Sequence, residues 1–206
     1  MWALAAAYFI GSIPTALIIG KLFFGVDIRE HGSNNPGATN TLRVMGKKAA
    51  LFVLAIDAGK GALAASLPAF LPVSVDPLFL GMAAVIGHCF PIFAGFRGGK
   101  AIATTAGMLL GANLPMFFIA YVSFFLAIFL TKYVFFGSLS VGLSLFIYSL
   151  IFPETGHSLL FGLFTLFLLY LHRSNIRNLI LGIEPKINDK NIKKDRIPPN
   201  GSLPFQ

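Results

Sequence analysis

Three polar blocks hold most of the side chains in this chain that could do chemistry. The first, residues 27–43, reads Asp-Ile-Arg-Glu-His-Gly-Ser-Asn-Asn-Pro-Gly-Ala-Thr-Asn-Thr-Leu-Arg. It sets Ser33, Asn34, Asn35, Thr39 and Asn40 around Gly32 and Gly37 and closes on Arg43. Glycines let the backbone come close to a ligand, and successive exposed amides form concavities that hold anions. The plainer reading of the same residues is a solvated loop that caps helices. The second block, residues 87–107, carries Gly98-Gly99-Lys100 just ahead of a predicted helix. A helix N-terminus with glycine amides and a lysine is a natural phosphate cradle. It is not a Walker A loop: Gly95 to Gly99 is one spacer short, and Ala101 stands where Ser or Thr would bind magnesium. The third block, residues 172–186, opens with His172, a residue type suited to general-base work near pH 7. Asn175 follows three residues later, on the same face of a helix. A basic segment beside the membrane accounts for the third block equally well.

Other positions stand apart from these blocks. Asp57 and Lys60 lie three residues apart inside an apolar stretch. Ionisable groups within a membrane span are costly and mark functional candidates, each the natural partner of the other. A buried ion pair that fixes helix packing is the alternative. His88 ends another apolar stretch and reads as a satisfied core histidine. Ser138 opens a helix, either as its N-cap or within reach of the same pocket as the basic loops. Phe117, Phe118, Phe124 and Phe125 read as packing or lipid-facing residues. One cysteine, Cys89, excludes a disulfide framework, and no Cys/His spacing points to a metal.

The elements that must position these residues are membrane helices. Of 206 residues, 56% are hydrophobic and only 12% charged, with a mean hydropathy of +0.78. A soluble domain carries about 25% charged residues, so a soluble fold, a disordered chain and a merely basic nucleic-acid-binding domain are all excluded. A spanning helix needs about 20 apolar residues. The stretches 1–20, 49–75, 77–96, 101–112, 115–131, 133–153 and 155–171 are the predicted spans. Gly111-Ala-Asn-Leu-Pro115 divides a stretch too long for one span. The first stretch lacks a basic leader and a small-residue cleavage site, so it reads as a span, not a removable signal.

The expectation is an all-α integral membrane protein of seven transmembrane helices. On that count every Lys and Arg except Lys60 falls on one side, while the opposite loops hold Asp76 and Glu154. The net charge of +8 then follows the positive-inside rule, with the N-terminus outside and the C-terminus cytoplasmic. Residues 1–186 are expected to form a single membrane domain. Residues 187–206 are expected to be a mobile cytoplasmic tail, able to lie on anionic lipid through Lys190, Lys193, Lys194 and Arg196.

Residues 32–43, 87–104 and 172–177 resemble the three cytoplasmic motifs of the bacterial acyl-phosphate:glycerol-3-phosphate acyltransferases, and Asp57-Ala-Gly-Lys-Gly61 is also similar to that family. The resemblance runs from about residue 10 to 186 and departs at Asn178 and Ile183. It implies transfer of an acyl group from acyl phosphate to the 1-hydroxyl of sn-glycerol 3-phosphate, giving lysophosphatidate and phosphate, the first step of phospholipid synthesis at the bacterial inner membrane. It implies Ser33, Arg43, His172 and Asn175 as catalytic residues. Asn35, Gly98, Gly99, Lys100, Ser138 and Lys60 are implied as substrate-binding. Glu184 reads as structural. No cofactor, metal or nucleic acid is implied. The partners implied are the two substrates, membrane lipid and a soluble enzyme that makes acyl phosphate. The His-x4-Asp dyad of other glycerol-3-phosphate acyltransferases is absent: Pro36, Phe93, Gly162 and Arg177 stand five residues after the four histidines.

The chemistry fits the implied reaction. Two phosphate substrates bring roughly four negative charges, which suits Arg43, Lys100 and loop amides. Acyl phosphate is already activated, so position and charge stabilisation matter more than a covalent nucleophile. An anion transporter would need polar residues through several spans and cations in the outer loops, and the sequence has neither. A scaffold for soluble lipid enzymes would give no reason for these residue types to cluster.

Overall fold

A computed structural model of the chain describes residues 1–188 and Ile197. The described residues are helical, with one-turn 3-10 segments and no strand. They divide into two compact units, residues 1–112 with Ile197, and residues 113–188.

In the first unit the opening span is interrupted. α1 (Trp2–Gly11) and α2 (Thr15–Phe24) are separated by Ser12-Ile13-Pro14. Pro14 has no N–H to give, and a residue preceding proline is turned away from helical geometry. α3 (Ala38–Val44) is short. α4 (Lys47–Ala65) carries Asp57 and Lys60, and α5 (Leu67–Phe70) is a single turn after it. α6 (Pro77–Cys89) starts on Asp76, whose carboxylate accepts from the Leu78 N–H at 2.7 Å. α7 (Ile102–Ala112) completes the unit.

Small residues let these helices touch backbone to backbone. A methyl added at Gly11 would collide with the Ala84 carbonyl of α6, and one at Gly87 with the Tyr8 carbonyl of α1. The α4–α7 seam is the same: Gly61 lies against the Thr104 carbonyl and Gly107 against the Ala58 carbonyl. Between apolar helices in lipid there is little hydrophobic drive, so such close packing is what holds them together.

In the second unit α8 (Leu114–Thr131), α9 (Val134–Ile151) and α10 (Ser158–Leu171) pack in sequence, and α11 (Arg173–Ile180) leaves α10 at 51°. Asn113 caps α8 by accepting from the Met116 N–H at 3.0 Å, so the helix break expected at Gly111–Pro115 is present. The Ser123 hydroxyl lies 3.1 Å from that of Ser144 across α8 and α9, and Ser158 donates to the Ser149 carbonyl at 2.8 Å. Such hydroxyl bridges are the polar glue of lipid-embedded helices. Phe118, Val122, Phe125 and Phe129 form an exposed apolar stripe along α8. On a helix this apolar such a stripe suits a lipid-facing surface, in keeping with an integral membrane protein.

Four described segments are long and apolar enough to cross a bilayer: Trp2–Phe24, Pro77–Ala94, Leu114–Thr131 and Val134–Ile151. The bent pair Ser158–Leu171 and Arg173–Ile180 makes a fifth if taken as one span. The expected count of seven also needs α4 and α7. α4 is held back by its charges, and α7, at 11 residues, is only about 16 Å long. Two described residues near the C-terminus make contacts. The Ile187 N–H donates to the Lys132 carbonyl at 2.9 Å, and Ile197 bonds the Val44 carbonyl through its own N–H at 2.8 Å and packs beside Ile19, Phe24 and Val53. Lys190, Lys193, Lys194 and Arg196 lie outside the described residues.

Two glycines of α4 and α7 make opposite predictions. Gly107→Ala drives a methyl into the Ala58 carbonyl and should lower the thermal unfolding temperature in detergent, at a cost of about 1–3 kcal/mol. Gly59→Ala meets nothing within 4 Å and should raise it, by about 0.5–1 kcal/mol. Melting curves of the two variants beside the parent check both.

Candidate active site

The first polar block is held from inside by Asn40. This side chain is buried. Its Oδ1 accepts from the Ser33 N–H at 2.9 Å, and its Nδ2 donates to the carbonyls of His31 at 2.9 Å and Ile28 at 3.3 Å. Gly32 has φ +60, and a Cβ there would strike Asn40 Oδ1, so glycine is needed twice over. The outcome is a loop that presents Ser33 at the surface, with Asn35 and Arg43 partly exposed.

Arg29 ties this block to the second. Its guanidinium grips Asp27 with two bonds, Nε to Oδ1 at 2.9 Å and Nη2 to Oδ2 at 2.6 Å, and Nη1 donates to the Ala94 carbonyl at 2.9 Å. Asp27 also accepts from the Arg29 N–H at 3.0 Å. The hydrogen bonds from Arg29 hold the Asp27 carboxyl down at about 2 despite partial burial, and the same pairing raises the arginine.

In the second block the glycines do something other than the expected cradling. The Gly98 N–H donates to the Cys89 carbonyl and the Gly99 N–H to the His88 carbonyl, both at 3.1 Å. Their amides therefore close the end of α6, correcting the expectation that they point at a ligand. What glycine supplies here is close approach: a Cβ at Gly98 would strike the His88 carbonyl, and one at Gly99 the His88 ring. Phe96 and Ala101, at φ 59 and 57, bracket the segment in the left-handed region. Non-glycine residues there store strain, which tends to collect at working sites. Lys100 is partly exposed between them.

Asp57 and Lys60 form a buried pair, Nζ to Oδ1 at 2.9 Å. The same Asp57 oxygen accepts from the Thr15 hydroxyl at 2.9 Å and lies 3.6 Å from His88 Nδ1. Lys60 also donates to the Ile13 carbonyl at 2.9 Å. Through these two contacts the Lys60 ammonium ties α4 to the break in the first span. His88 is buried, as expected of a core histidine, and its neighbour is the Asp57 carboxylate. Beside this cluster a small cleft is lined by Ile13, Thr15, Pro36, His88, Arg97 and Gly98 among others. It brings together the helix break, the first block and the second.

In the second unit His172 is buried at the junction of α10 and α11, with Nδ1 2.9 Å from the Leu168 carbonyl. A carbonyl only accepts, so Nδ1 is the donor in this contact. Asn175 donates to Glu184 Oε1 at 2.6 Å, a contact that accounts for Glu184 structurally. Ser138 is not an N-cap. It sits in the second turn of α9, which Tyr133 caps, and its hydroxyl donates to the Val134 carbonyl at 3.3 Å.

A family model described as glycerol-3-phosphate acyltransferase matches residues 1–182. The chain belongs to that family. A glycerol-3-phosphate acyltransferase of Bacillus velezensis is 50% identical over 182 residues, covering 88% of this chain and 94% of the relative. The one from Bacillus subtilis strain 168 is 49% identical over the same shares. That of Macrococcus caseolyticus is 46% identical over 91% of this chain and 96% of its own length. Among solved structures, the integral membrane glycerol 3-phosphate acyltransferase PlsY (YgiH) in its glycerol 3-phosphate form superposes with a TM-score of 0.82. It is 30% identical, and the match covers 91% of this chain and 94% of that one. Its lysophosphatidic acid form gives 0.79 at 29% identity, over 93% and 96%. In this member of the glycerol-3-phosphate acyltransferase family, Thr15, Asn40 and the contact of His88 with Asp57 escaped sequence reasoning. Thr15 and His88 lie far from Asp57 along the chain, and Asn40 looked like one more loop asparagine.

The Asp27–Arg29 pair predicts a pH dependence. A carboxyl lowered on folding stabilises above its ordinary pKa and loses that contribution as pH falls towards the lowered one. The difference in unfolding temperature between the parent and Asp27→Asn should be full at neutral pH and shrink as pH falls from 3.8 to about 2. Melting curves across that window check it.

Proposed function

We propose that the protein transfers an acyl group from acyl phosphate to the 1-hydroxyl of sn-glycerol 3-phosphate, giving 1-acylglycerol 3-phosphate and phosphate. The observation that carries this reading is the match of the glycerol-3-phosphate acyltransferase family across residues 1–182, which takes in the first two polar blocks and all but the last few residues of the third. In the reaction the hydroxyl oxygen attacks the acyl carbonyl carbon, the bond from that carbon to the phosphate oxygen breaks, and phosphate leaves with the electron pair. The hydroxyl proton goes to His172 Nε2 or to the departing phosphate. Arg43 and Lys100 offset the phosphate charge, with Ser33 and Asn35 as hydrogen-bonding partners. Asn175 orients a substrate, and Ser138 contributes to binding. Gly98 and Gly99 serve by shape, placing Lys100.

The reading extends to the membrane. The proposed topology has seven crossings in the bacterial plasma membrane, with the N-terminus outside and the three blocks facing the cytoplasm. Supporting it, every Lys and Arg but Lys60 then lies on one side. The charges of α4 are paired with each other and with Thr15, which lowers the cost of a crossing. A single membrane domain over residues 1–186 and a soluble supplier of acyl phosphate belong to the same proposal.

The test is transfer from palmitoyl phosphate to labelled glycerol 3-phosphate by purified protein in lipid, with palmitoyl-CoA run beside it. Labelled lysophosphatidate should form from acyl phosphate and not from the thioester. Lys100→Ala should lower kcat/KM by about 10²-fold or more, the usual loss when a charge-stabilising group is removed. No product from folded protein with either donor would overturn the reading.

A further inference from the structure

His88 takes no part in the chemistry above, yet it stands between the buried ion pair and the basic turn. Its side chain is 7% exposed. On one side Nδ1 lies 3.6 Å from Asp57 Oδ1, the oxygen that also receives Thr15 and Lys60. On the other side the ring lies against Gly99 so closely that any Cβ there would fall on Nε2. Its carbonyl accepts the Gly99 N–H, and the next carbonyl accepts that of Gly98. The turn is thus fastened to His88 through backbone and spaced from α4 by the imidazole. Lys60 and Thr15 extend the chain of contacts to both sides of the break between α1 and α2, through the Ile13 carbonyl and the Thr15 hydroxyl.

We propose that His88 is a positioning residue for the Gly98-Gly99-Lys100 turn, its ring being the spacer that sets where the turn sits relative to the Asp57–Lys60 pair. The inference rests on the acyltransferase reading and adds a residue to it. A turn held by a rigid spacer keeps a charged side chain at a fixed place, and displacements of about 1 Å at such a site can cost on the order of 10²-fold. The required fit is between two side-chain positions, Gly99 and His88, so it can be read by changing both.

The experiment uses Gly99→Ala, His88→Ala, the double variant and His88→Gln, in the full-length protein in lipid. Gly99→Ala should raise KM for glycerol 3-phosphate by about tenfold with kcat changed far less. His88→Ala should raise KM severalfold. Removing the ring in the Gly99→Ala background should recover most of the loss, so the double variant is better than Gly99→Ala alone. His88→Gln, which keeps a polar side chain of similar reach, should stay closer to the parent than His88→Ala. A double variant as poor as the two single effects multiplied, or an unchanged KM in Gly99→Ala with an active parent, overturns the proposal. An inactive parent instead overturns the acyltransferase reading. The positioning claim is then decided by unfolding temperatures: Gly99→Ala should lower them and the added His88→Ala restore them, and additive losses overturn it.

Discussion

The Asp57 carboxylate is the constraint on which the first unit depends. Interrupting a helix in apolar surroundings leaves backbone groups without intrahelical partners, and nothing in lipid can satisfy them. Here the interruption at Ser12-Ile13-Pro14 is answered from α4. Lys60 binds the Ile13 carbonyl at the end of α1, and Asp57 receives Thr15 at the start of α2. The signs suit the ends: cation at a helix C-terminus, anion at an N-terminus. Each charge neutralises the other, so the pair is stable where either alone would cost about 3–5 kcal/mol. The break and the ion pair are therefore one device. Pro14 makes the break, and the pair satisfies polar groups on either side of it.

Glycine serves two further purposes in this unit. Along the helices, Gly11, Gly61, Gly87 and Gly107 bring backbones into contact, giving dispersion and weak polar contacts where lipid removes the hydrophobic incentive. In the loops, Gly98 and Gly99 let the second block run directly over the end of α6. The first block is built differently, around the side chain of Asn40, and Arg29 locks the two together at Ala94.

Much of this was legible in the sequence. The apolar composition fixed the solvent, the Asn113-Leu-Pro115 signal marked the break between α7 and α8, and the i, i+3 spacing paired Asp57 with Lys60. The interruption of the first span was missed although Pro14 was visible, because an uncharged run of apolar residues outweighs one proline in a hydropathy reading. The contact of Lys60 with the Ile13 carbonyl was missed for a related reason: spacing along one helix shows a partner three residues away but not a carbonyl exposed by another helix. The glycines of the second block were recognised as important and given the wrong contacts. A Gly-Gly-Lys before a helix reads the same whether its amides face a ligand or a preceding helix end. Ser138 was placed at the opening of its helix, whereas α9 starts a turn earlier and Ser138 is buried within it.

The capture of the Gly98 and Gly99 amides has an electrostatic consequence. The C-terminal end of α6 presents carbonyl oxygens, the negative pole of the helix, towards a loop rich in basic residues. Left bare, those oxygens would repel any anion drawn in by Arg97 or Lys100. By covering the carbonyls of His88 and Cys89, the two glycines mute that pole, and the field around the turn is left to the cations.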